Sequence, residues 1–249
     1  MTELPTSWAF GPYHEGMGHD AAHYREKYAC RAIKQELNQS FGYKLSLATD
    51  KLGSTAGKAI LDFQEKHDLV QDGKAGPETC RTLFRPRLED NEDRVGIPRH
   101  WLAAHGEWES GHYDPGAELV NGDGSRDRGL FQDNDQHGPY KMTDEEAFDP
   151  AVSVEARANA LGTFANLHLG QFCLIQDTKK VRKFWAYPIS VSSFRSPVGA
   201  KQLVEKGDTE VVLPMRAKDQ PGYPDNIDWA QACAYYVLRI NETRRVYWS

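Results

Sequence analysis

The sequence predicts a mainly α-helical protein in two parts, and three observations lead to this expectation. Apolar residues recur at three- and four-residue steps between Tyr24 and about Asn38, which is typical of an amphipathic helix. Turn-rich segments precede two further helices, which we expect after Ser54 and at Gly76-Pro77, where proline suits a first helical turn. The length of 249 residues allows one large domain or two modest ones.

Composition and charge exclude several classes of protein. The chain has 30 Lys and Arg against 36 Asp and Glu, with no dense basic block, which argues against a nucleic-acid partner. No apolar run approaches the roughly 20 residues that a membrane helix needs, so we expect no membrane insertion. Residues 1–5 lack the basic and apolar regions of a secretory signal, and we therefore expect synthesis and folding in a cytoplasm.

Neither the cysteines nor the N-terminal histidines form a recognisable metal motif. The four cysteines lie far apart and predict buried, reduced thiols, with a pairing of Cys30 and Cys80 left open. Residues 1–22 are predicted to be an N-terminal arm, since no helical or strand period holds there. Three histidines lie in or next to this arm: His14, His19 and His23. We expect no metal and no other cofactor, and a metal peptidase using these histidines is an alternative.

A segment of about 60 residues, from Arg25 to Phe84, carries an ordered set of motifs. Phe63-Gln64 lies near the end of a predicted helix, Asp72-Gly73 makes a tight turn, and Gly76 and Thr79 introduce a closing helix. This order resembles the three-helix peptidoglycan-binding domain. The resemblance implies a cell-wall-binding domain over residues 23–86. Its motif residues are Phe63, Gln64, Asp72, Gly73, Gly76 and Thr79.

The next segment, residues 87–96, is predicted to be an interdomain linker. Almost all of its residues are charged, and such a run cannot bury enough apolar surface to fix its own fold. Residues 97–249 then form the second predicted domain.

The second domain opens with a predicted helix from Ile97-Pro98 to Ser110-Gly111, where glycine can end a helix. Glu109 is its last or next-to-last residue and directly follows Trp108. A carboxylic acid beside apolar surface keeps its proton to a higher pH than a solvated one. Such a group can protonate a leaving oxygen, which makes Glu109 a candidate general acid.

Twenty residues after Glu109-Ser110 the chain reads Gly129-Leu130-Phe131-Gln132, and Phe148-Asp149-Pro150 follows. This order resembles the soluble lytic transglycosylases and goose-type lysozymes, with Phe131 in place of the usual methionine. The resemblance implies a lysozyme-like α+β catalytic domain over residues 97–249, with Glu109 as the catalytic acid. It also implies substrate-binding roles for Ser110, Gly129, Leu130, Phe131, Gln132 and Tyr187.

The residues leave the reaction type open. A lytic transglycosylase can work with one glutamate, whereas inverting hydrolysis needs a second carboxylate roughly 6.5–9.5 Å away. Asp123 lies where goose-type lysozymes carry an aspartate that positions water, six residues before Gly129. The alternative is that Asp123, like Asp127 and Asp133, only shapes a turn beside glycine. A calcium site in residues 121–135 is a further alternative, although position twelve after Asp123 is not a glutamate.

The two resemblances converge on bacterial peptidoglycan. Together they imply a bacteriophage endolysin that cleaves the β-1,4 bond between N-acetylmuramic acid and N-acetylglucosamine, with lytic transglycosylation favoured over hydrolysis. Such a protein would accumulate in the host cytoplasm, depend on a separate holin for release, and act on the host wall as a monomer. The alternative from another class is a non-catalytic, wall-binding virion protein.

Overall fold

The computed structural model describes residues 12–18, 24–97, 99–137, 141–174, 216–220, 225 and 228–247. The protein is mainly α-helical, as the sequence predicts. Of the histidines named above, His14 is described, whereas His19 and His23 lie outside the described residues. Among the helices described, none combines the length and hydropathy needed to cross a bilayer.

Three helices form the N-terminal core: α1 (Tyr24–Phe41), α2 (Ser54–Lys66) and α3 (Pro77–Val95). Their apolar faces are fully buried against one another, as the periodicity predicts. The largest of these core side chains are Ile33, Leu37, Ile60, Phe63, Leu83 and Phe84. The N-terminal arm joins this core at Tyr13, which pairs with Ala75 in an isolated antiparallel bridge.

The structure differs from the predicted linker, because α3 continues through nearly all of residues 87–96. Three fully buried residues follow a four-residue spacing along this helix: Phe84, Leu88 and Glu92. That spacing makes one buried stripe along the helix, and Arg87 beside it pairs with the buried Glu36. The mostly charged composition did not reveal this stripe. Burial of Leu88 and Glu92 is enough to keep the two turns of this segment helical.

The end of α3 also starts the next helix, α4 (Trp101–Glu109). The buried carboxylate of Glu92 accepts hydrogen bonds from the backbone amides of His100 (2.6 Å) and Ala103 (3.1 Å). First-turn amides have no partner inside their own helix, and a carboxylate there satisfies them. Glu92 is therefore a helix-capping residue.

A small antiparallel sheet follows α4. Its strands are β1 (Glu118–Val120), β2 (Arg126–Arg128) and β3 (Asp133–Asn134), in the order β1-β2-β3. Leu119 lies opposite Asp127, and Arg128 lies opposite Asp133. A short helix α5 (Asp144–Ala147), which begins with a Thr143 capping box, and the long α6 (Pro150–Leu174) come next.

The chain divides into two compact units that cut across the predicted domains. One unit combines Met1–Asn91 with Gly106–Ala156, and the other combines Glu92–His105 with Arg157–Ser249. The first unit therefore holds α1, α2, α3 as far as Asn91, the last turn of α4, the sheet, α5 and the first turns of α6. One contact between distant parts of this unit is the hydrogen bond that the Tyr13 hydroxyl donates to Asp114 Oδ1, at 2.7 Å in the interior.

The second unit is helical in its described part. It contains a short 3₁₀ helix (Ala217–Asp219) and α7 (Trp229–Tyr247). The ring of His105 meets Tyr236 edge-on, with 5.9 Å between ring centroids, and the Arg244 guanidinium lies 5.4 Å from the Trp101 ring. These contacts join α7 to the first turns of α4.

Candidate functional site

The motif residues of the N-terminal domain meet around one buried side chain, the amide of Gln64. Its Nε2 donates to Asp72 Oδ1 (2.9 Å), to the Lys74 carbonyl (2.9 Å) and to Thr79 Oγ1 (3.1 Å). Its Oε1 accepts from the backbone amide of Gly73 at 2.9 Å. Because an amide both donates and accepts, this one side chain ties the turn after α2 to the start of α3.

The other two motif residues flank this hydrogen-bonded cluster. Phe63 is buried and meets the ring of Phe41 edge-on, with 4.7 Å between centroids. Gly76 precedes α3, and its carbonyl accepts the amide of Cys80 at 2.8 Å. The structure thus brings the motif together and uses it to fold the domain.

Glu109, the predicted acid, is the last residue of α4 and is half-buried. The neighbouring Trp108 lies at the surface with 37% of its area exposed. Glu109 therefore lies at the end of a helix, as predicted, whereas the indole of Trp108 is partly in contact with solvent.

The Gly129–Gln132 segment packs on the same end of α4 through Gly106. A Cβ placed on Gly106 would lie 3.2 Å from Phe131 Cε1 and 3.2 Å from the Tyr113 ring, closer than side chains normally approach. Leu130 and Phe131 are both buried. Since Gly106 is one helical turn before Glu109, the structure brings the two predicted motifs together.

Two residues of this segment have left-handed backbone. Gly129 has φ +71°, and a Cβ there would lie 2.1 Å from the Ala147 carbonyl oxygen. Gln132 has φ +51°, and its Nε2 donates to the Gly129 carbonyl at 3.1 Å. Glycine is required at 129 by the close approach of α5, a reason that the sequence did not reveal.

Ser110 is fully buried and shapes the end of α4. Its hydroxyl donates to the Gly106 carbonyl at 2.6 Å and accepts from the Tyr113 backbone amide at 3.0 Å. The Gly106 carbonyl also accepts the Ser110 amide at 3.0 Å, and the bond from Tyr113 satisfies an amide beyond the end of the helix. The Ser110 hydroxyl is thus already bonded to the main chain. Its predicted role in orienting the acid or the substrate stays a prediction.

Three consecutive residues after Ser110 have positive φ: Gly111 (+60°), His112 (+73°) and Tyr113 (+62°). The two non-glycine residues each cost on the order of 1–3 kcal/mol in this region. Tyr113 is held there by complete burial and by stacking on Phe84, with 6.2 Å between ring centroids. Backbone strain of this kind concentrates at functional sites, and here it directly follows Glu109.

Sequence reasoning missed a buried ion pair beneath this strained turn. Arg81 Nε and Nη2 donate to the two oxygens of Glu107 at 2.8 and 2.7 Å, and His112 Nδ1 lies 2.6 Å from Glu107 Oε1. Burial acts to raise the pKa of Glu107, but hydrogen bonds from Arg81 and His112 outweigh it and leave the pKa below its ordinary value. The sequence offered one indication of this pair, which is a second glutamate in the same helical turn as Glu109.

Asp114 is a second missed residue. Its Oδ1 accepts from the Tyr13 hydroxyl at 2.7 Å and from the Gly116 amide at 2.9 Å, whereas its buried Oδ2 has no hydrogen-bond partner among the described residues. Burial raises the pKa of Asp114 to about 6, although the two hydrogen bonds oppose this. Nothing in the sequence links Tyr13 to a residue about one hundred positions away.

Asp123, the candidate second carboxylate, is exposed and holds a turn. It accepts from the Ser125 amide (2.9 Å) and hydroxyl (2.7 Å), and His137 Nε2 lies 2.9 Å from its other oxygen. Hydrogen bonds from Ser125 and His137 lower the pKa of Asp123 to about 2. This is the turn chemistry given above as the alternative.

The remaining acidic candidates have structural contacts. Asp127 accepts from Asn121 at 3.1 Å and from Asn134 at 2.7 Å, and Asp133 is buried in β3. In the described part of the chain, no group of three or more His, Cys, Asp or Glu residues could hold a metal ion. Tyr187 lies outside the described residues.

Comparison with known families agrees with the N-terminal motif. The family model of the peptidoglycan binding domain matches residues 28–83, inside the range 23–86 that the motif order predicts. The N-terminal part of the chain therefore contains a peptidoglycan-binding domain, which is consistent with association with the bacterial cell wall. No curated protein matches the chain.

Proposed function

We propose that this protein is a peptidoglycan-degrading glycosidase that acts as a lytic transglycosylase, with Glu109 as acid and then base. The observation that carries the proposal is the packing of Phe131 on Gly106, one helical turn before Glu109. It supports a single site made from both motifs that resemble the lytic transglycosylases. The strained turn at residues 111–113 adds support, because stored backbone strain is typical of functional sites.

The chemistry needs one carboxyl group in two protonation states. The Glu109 acid donates its proton to the glycosidic oxygen, and the bond from that oxygen to C1 of N-acetylmuramic acid breaks. The Glu109 carboxylate then removes the proton of the C6 hydroxyl of the same sugar. The C6 oxygen bonds to C1, which closes a 1,6-anhydro ring. The residue regains its proton, so no water enters the products.

The state of Asp123 favours this reaction over hydrolysis. A base that activates water needs an available lone pair and a pKa near the working pH. Both oxygens of Asp123 already accept hydrogen bonds or face His137, and a pKa of about 2 makes this carboxylate a weak base. The hydrolysing muramidase with Glu109 and Asp123 is the second candidate, and its products differ by one water.

The peptidoglycan-binding domain supports the proposed substrate. It lies in the same compact unit as Glu109, and Arg81 joins it to α4 through Glu107. Binding to the polymer raises the local concentration of bonds to be cleaved. We further propose that the protein is a bacteriophage endolysin that acts as a monomer. It would stay in the host cytoplasm until a holin opens the membrane, and would then reach the host wall.

Digestion of purified, insoluble peptidoglycan tests the proposal. We expect wild-type protein to release muropeptides with 1,6-anhydro ends, identified by mass spectrometry. Glu109→Gln should lower release at least about 100-fold, because loss of general acid catalysis costs about 10²–10⁴. Glu155→Gln, at an exposed site on α6, is the matched control and should remain active.

Three results would contradict the proposal in different ways. Reducing ends in place of anhydro ends, together with inactive Asp123→Asn, would establish the hydrolase. Full activity of Glu109→Gln would remove this residue from the reaction. Sedimentation with peptidoglycan without release of any fragment would favour the non-catalytic, wall-binding virion protein.

A further inference from the structure

A groove of about 340 Å³ lies between α1 and the start of α6, within the first compact unit. None of the residues assigned to the candidate catalytic site lines it. The lining residues are Tyr28, Arg31, Gln35, Glu145, Phe148 and Asp149. A volume of this size suits a small ligand, since such sites begin at about 300 Å³.

The two walls of the groove come from distant parts of the chain. Tyr28, Arg31 and Gln35 follow one another at three and four residues, so they share one face of α1. The opposite wall is formed by α5 and by the two residues that connect it to α6. The walls are held together by the Tyr28 and Phe148 rings, which stack with 5.1 Å between centroids and 10° between planes.

A hydrogen bond supports this arrangement at the other end of the groove. Gln35 Nε2 donates to Asp149 Oδ2 at 3.3 Å, and Asp149 Oδ1 accepts the Ala151 amide at 2.8 Å at the start of α6. Asp149 is therefore fixed by its bonds. The groove keeps its shape through these contacts, which leaves Arg31 and Glu145 as its adaptable charged groups.

Arg31 and Glu145 carry opposite charges, and neither has a close ion-pair partner among the described residues. Arg31 is exposed, and its nearest acidic partner, Asp50, lies 3.9 Å away and is also partly exposed. Glu145 makes no hydrogen bond or ion pair with any described residue. Burial raises the pKa of the Tyr28 phenol, and the charges of Glu145 and Asp144 add to that rise, whereas the charge of Arg31 opposes it.

We infer that this groove binds the zwitterionic end of a peptidoglycan stem peptide, with its ammonium at Glu145 and its carboxylate at Arg31. This rests on the proposed function, in which the wall polymer is the substrate. A guanidinium matches a carboxylate through paired hydrogen bonds, and a carboxylate without a partner matches an ammonium.

The peptide fits this groove better than the glycan does. Amino groups of the glycan are acetylated and carry no positive charge, whereas the diamino acid of a stem peptide carries both charges on one carbon. Sugars bind to open aromatic faces, and Tyr28 already stacks one face on Phe148 while Tyr24 meets both rings edge-on at 6.4 Å. Charge complementarity therefore distinguishes the two parts of the polymer.

Titration calorimetry with a soluble stem peptide tests the inference. The probe is L-alanyl-γ-D-glutamyl-meso-diaminopimelate, and wild-type protein should bind it. Glu145→Gln and Arg31→Gln should each weaken binding about tenfold or more, because hydrogen bonds between charged groups are the strong ones. Glu155→Gln and Lys58→Gln, both at exposed sites outside the groove, should bind as wild type does.

Two further probes identify what is recognised. The same peptide with its free amine acetylated should bind as weakly as the native peptide binds to Glu145→Gln. Peptide-free N-acetylglucosaminyl-N-acetylmuramic acid should show no effect of either groove variant. Equal peptide affinity in wild type, Glu145→Gln and Arg31→Gln would overturn the inference, as would loss of disaccharide binding in the groove variants.

The outcome is separable from the proposed catalysis. Glu109→Gln should bind the stem peptide with unchanged affinity while it releases no muropeptides. If it does so, the groove stands whatever reaction Glu109 performs. If the stem peptide fails to bind to wild type while anhydro products still form, the groove inference fails and the proposed function stands.

Discussion

Arg81 of the peptidoglycan-binding domain donates two hydrogen bonds to the buried carboxylate of Glu107, two residues before Glu109. The carboxylate is 1% exposed and also holds His112, which lies in the strained turn after α4. The wall-binding helices and the candidate catalytic helix are therefore joined by a buried charge pair.

Removing one partner of a buried pair leaves the other charge without compensation. We expect Arg81→Gln to lower the free energy of unfolding by about 3–5 kcal/mol, measured by urea denaturation. Arg85→Gln, at an exposed arginine whose partner Glu89 lies 3.9 Å away, should change it by less than about 1 kcal/mol. Similar stability of the two variants would mean that the Arg81–Glu107 pair contributes no more than a surface ion pair.

The buried amide of Gln64 should be equally sensitive. Gln64→Ala removes all four of its hydrogen bonds and leaves Asp72 and the Gly73 amide to find other partners. We expect a loss of about 2–3 kcal/mol and weaker sedimentation with peptidoglycan. Gln71→Ala, at an exposed position, is the control. Unchanged melting of Gln64→Ala would show that the hydrogen bonds are replaced by water without cost.

Gly129 offers a test of the segment beside Glu109. A methyl group there would lie 2.1 Å from the Ala147 carbonyl oxygen and would also require positive φ. Gly129→Ala should therefore destabilise the protein by more than about 2 kcal/mol and reduce the release of muropeptides proposed above. Gly122→Ala, with nothing within 4 Å, is the matched control. Equal thermal melting of both variants would contradict the close approach of α5.

Asp114 predicts a pH dependence of stability. Its pKa rises from 3.8 to about 6 on folding, so the folded protein binds more protons than the unfolded chain between these values. The contribution of Asp114 to the free energy of unfolding is complete below about pH 4, falls as the pH rises to about 6, and does not change above that pH. The loss amounts to about 3 kcal/mol.

Asp114→Asn removes this titration. Urea denaturation from pH 4 to pH 7 should show the variant gaining stability relative to wild type as the pH rises. The Tyr13 hydroxyl and the Gly116 amide can still donate to the asparagine carbonyl, which preserves the local fold. A difference between the two proteins that does not vary with pH would exclude a raised pKa at Asp114.

Local patterns carried most of what the sequence could predict. The helical period gave α1, the turn chemistry gave the motif around Gln64, and the placement of Glu109 at a helix end agrees with the structure. Each of these depends on residues within a few turns of one another. The reaction assigned to Glu109 stays a prediction, as do the roles of Asp123 and Tyr187.

Contacts between distant segments could not be predicted. The composition of residues 87–96 suggested a linker, whereas burial of Leu88 and Glu92 makes the segment a helix. The bonds from Tyr13 to Asp114 and from Arg81 to Glu107 join positions that share no local pattern. Charged residues are expected at the surface, and only the fold shows which of them are paired in the interior.

The continuous helix α3 limits how this protein can be re-engineered. Domains are best exchanged at exposed, flexible linkers, and the composition of residues 87–96 suggests one. A chimera cut there would divide one helix, separate Leu88 from Glu92 and deprive α4 of its cap. A fusion therefore has to leave α3 intact, and Tyr13 as well, since its hydroxyl is bonded to Asp114 in the interior.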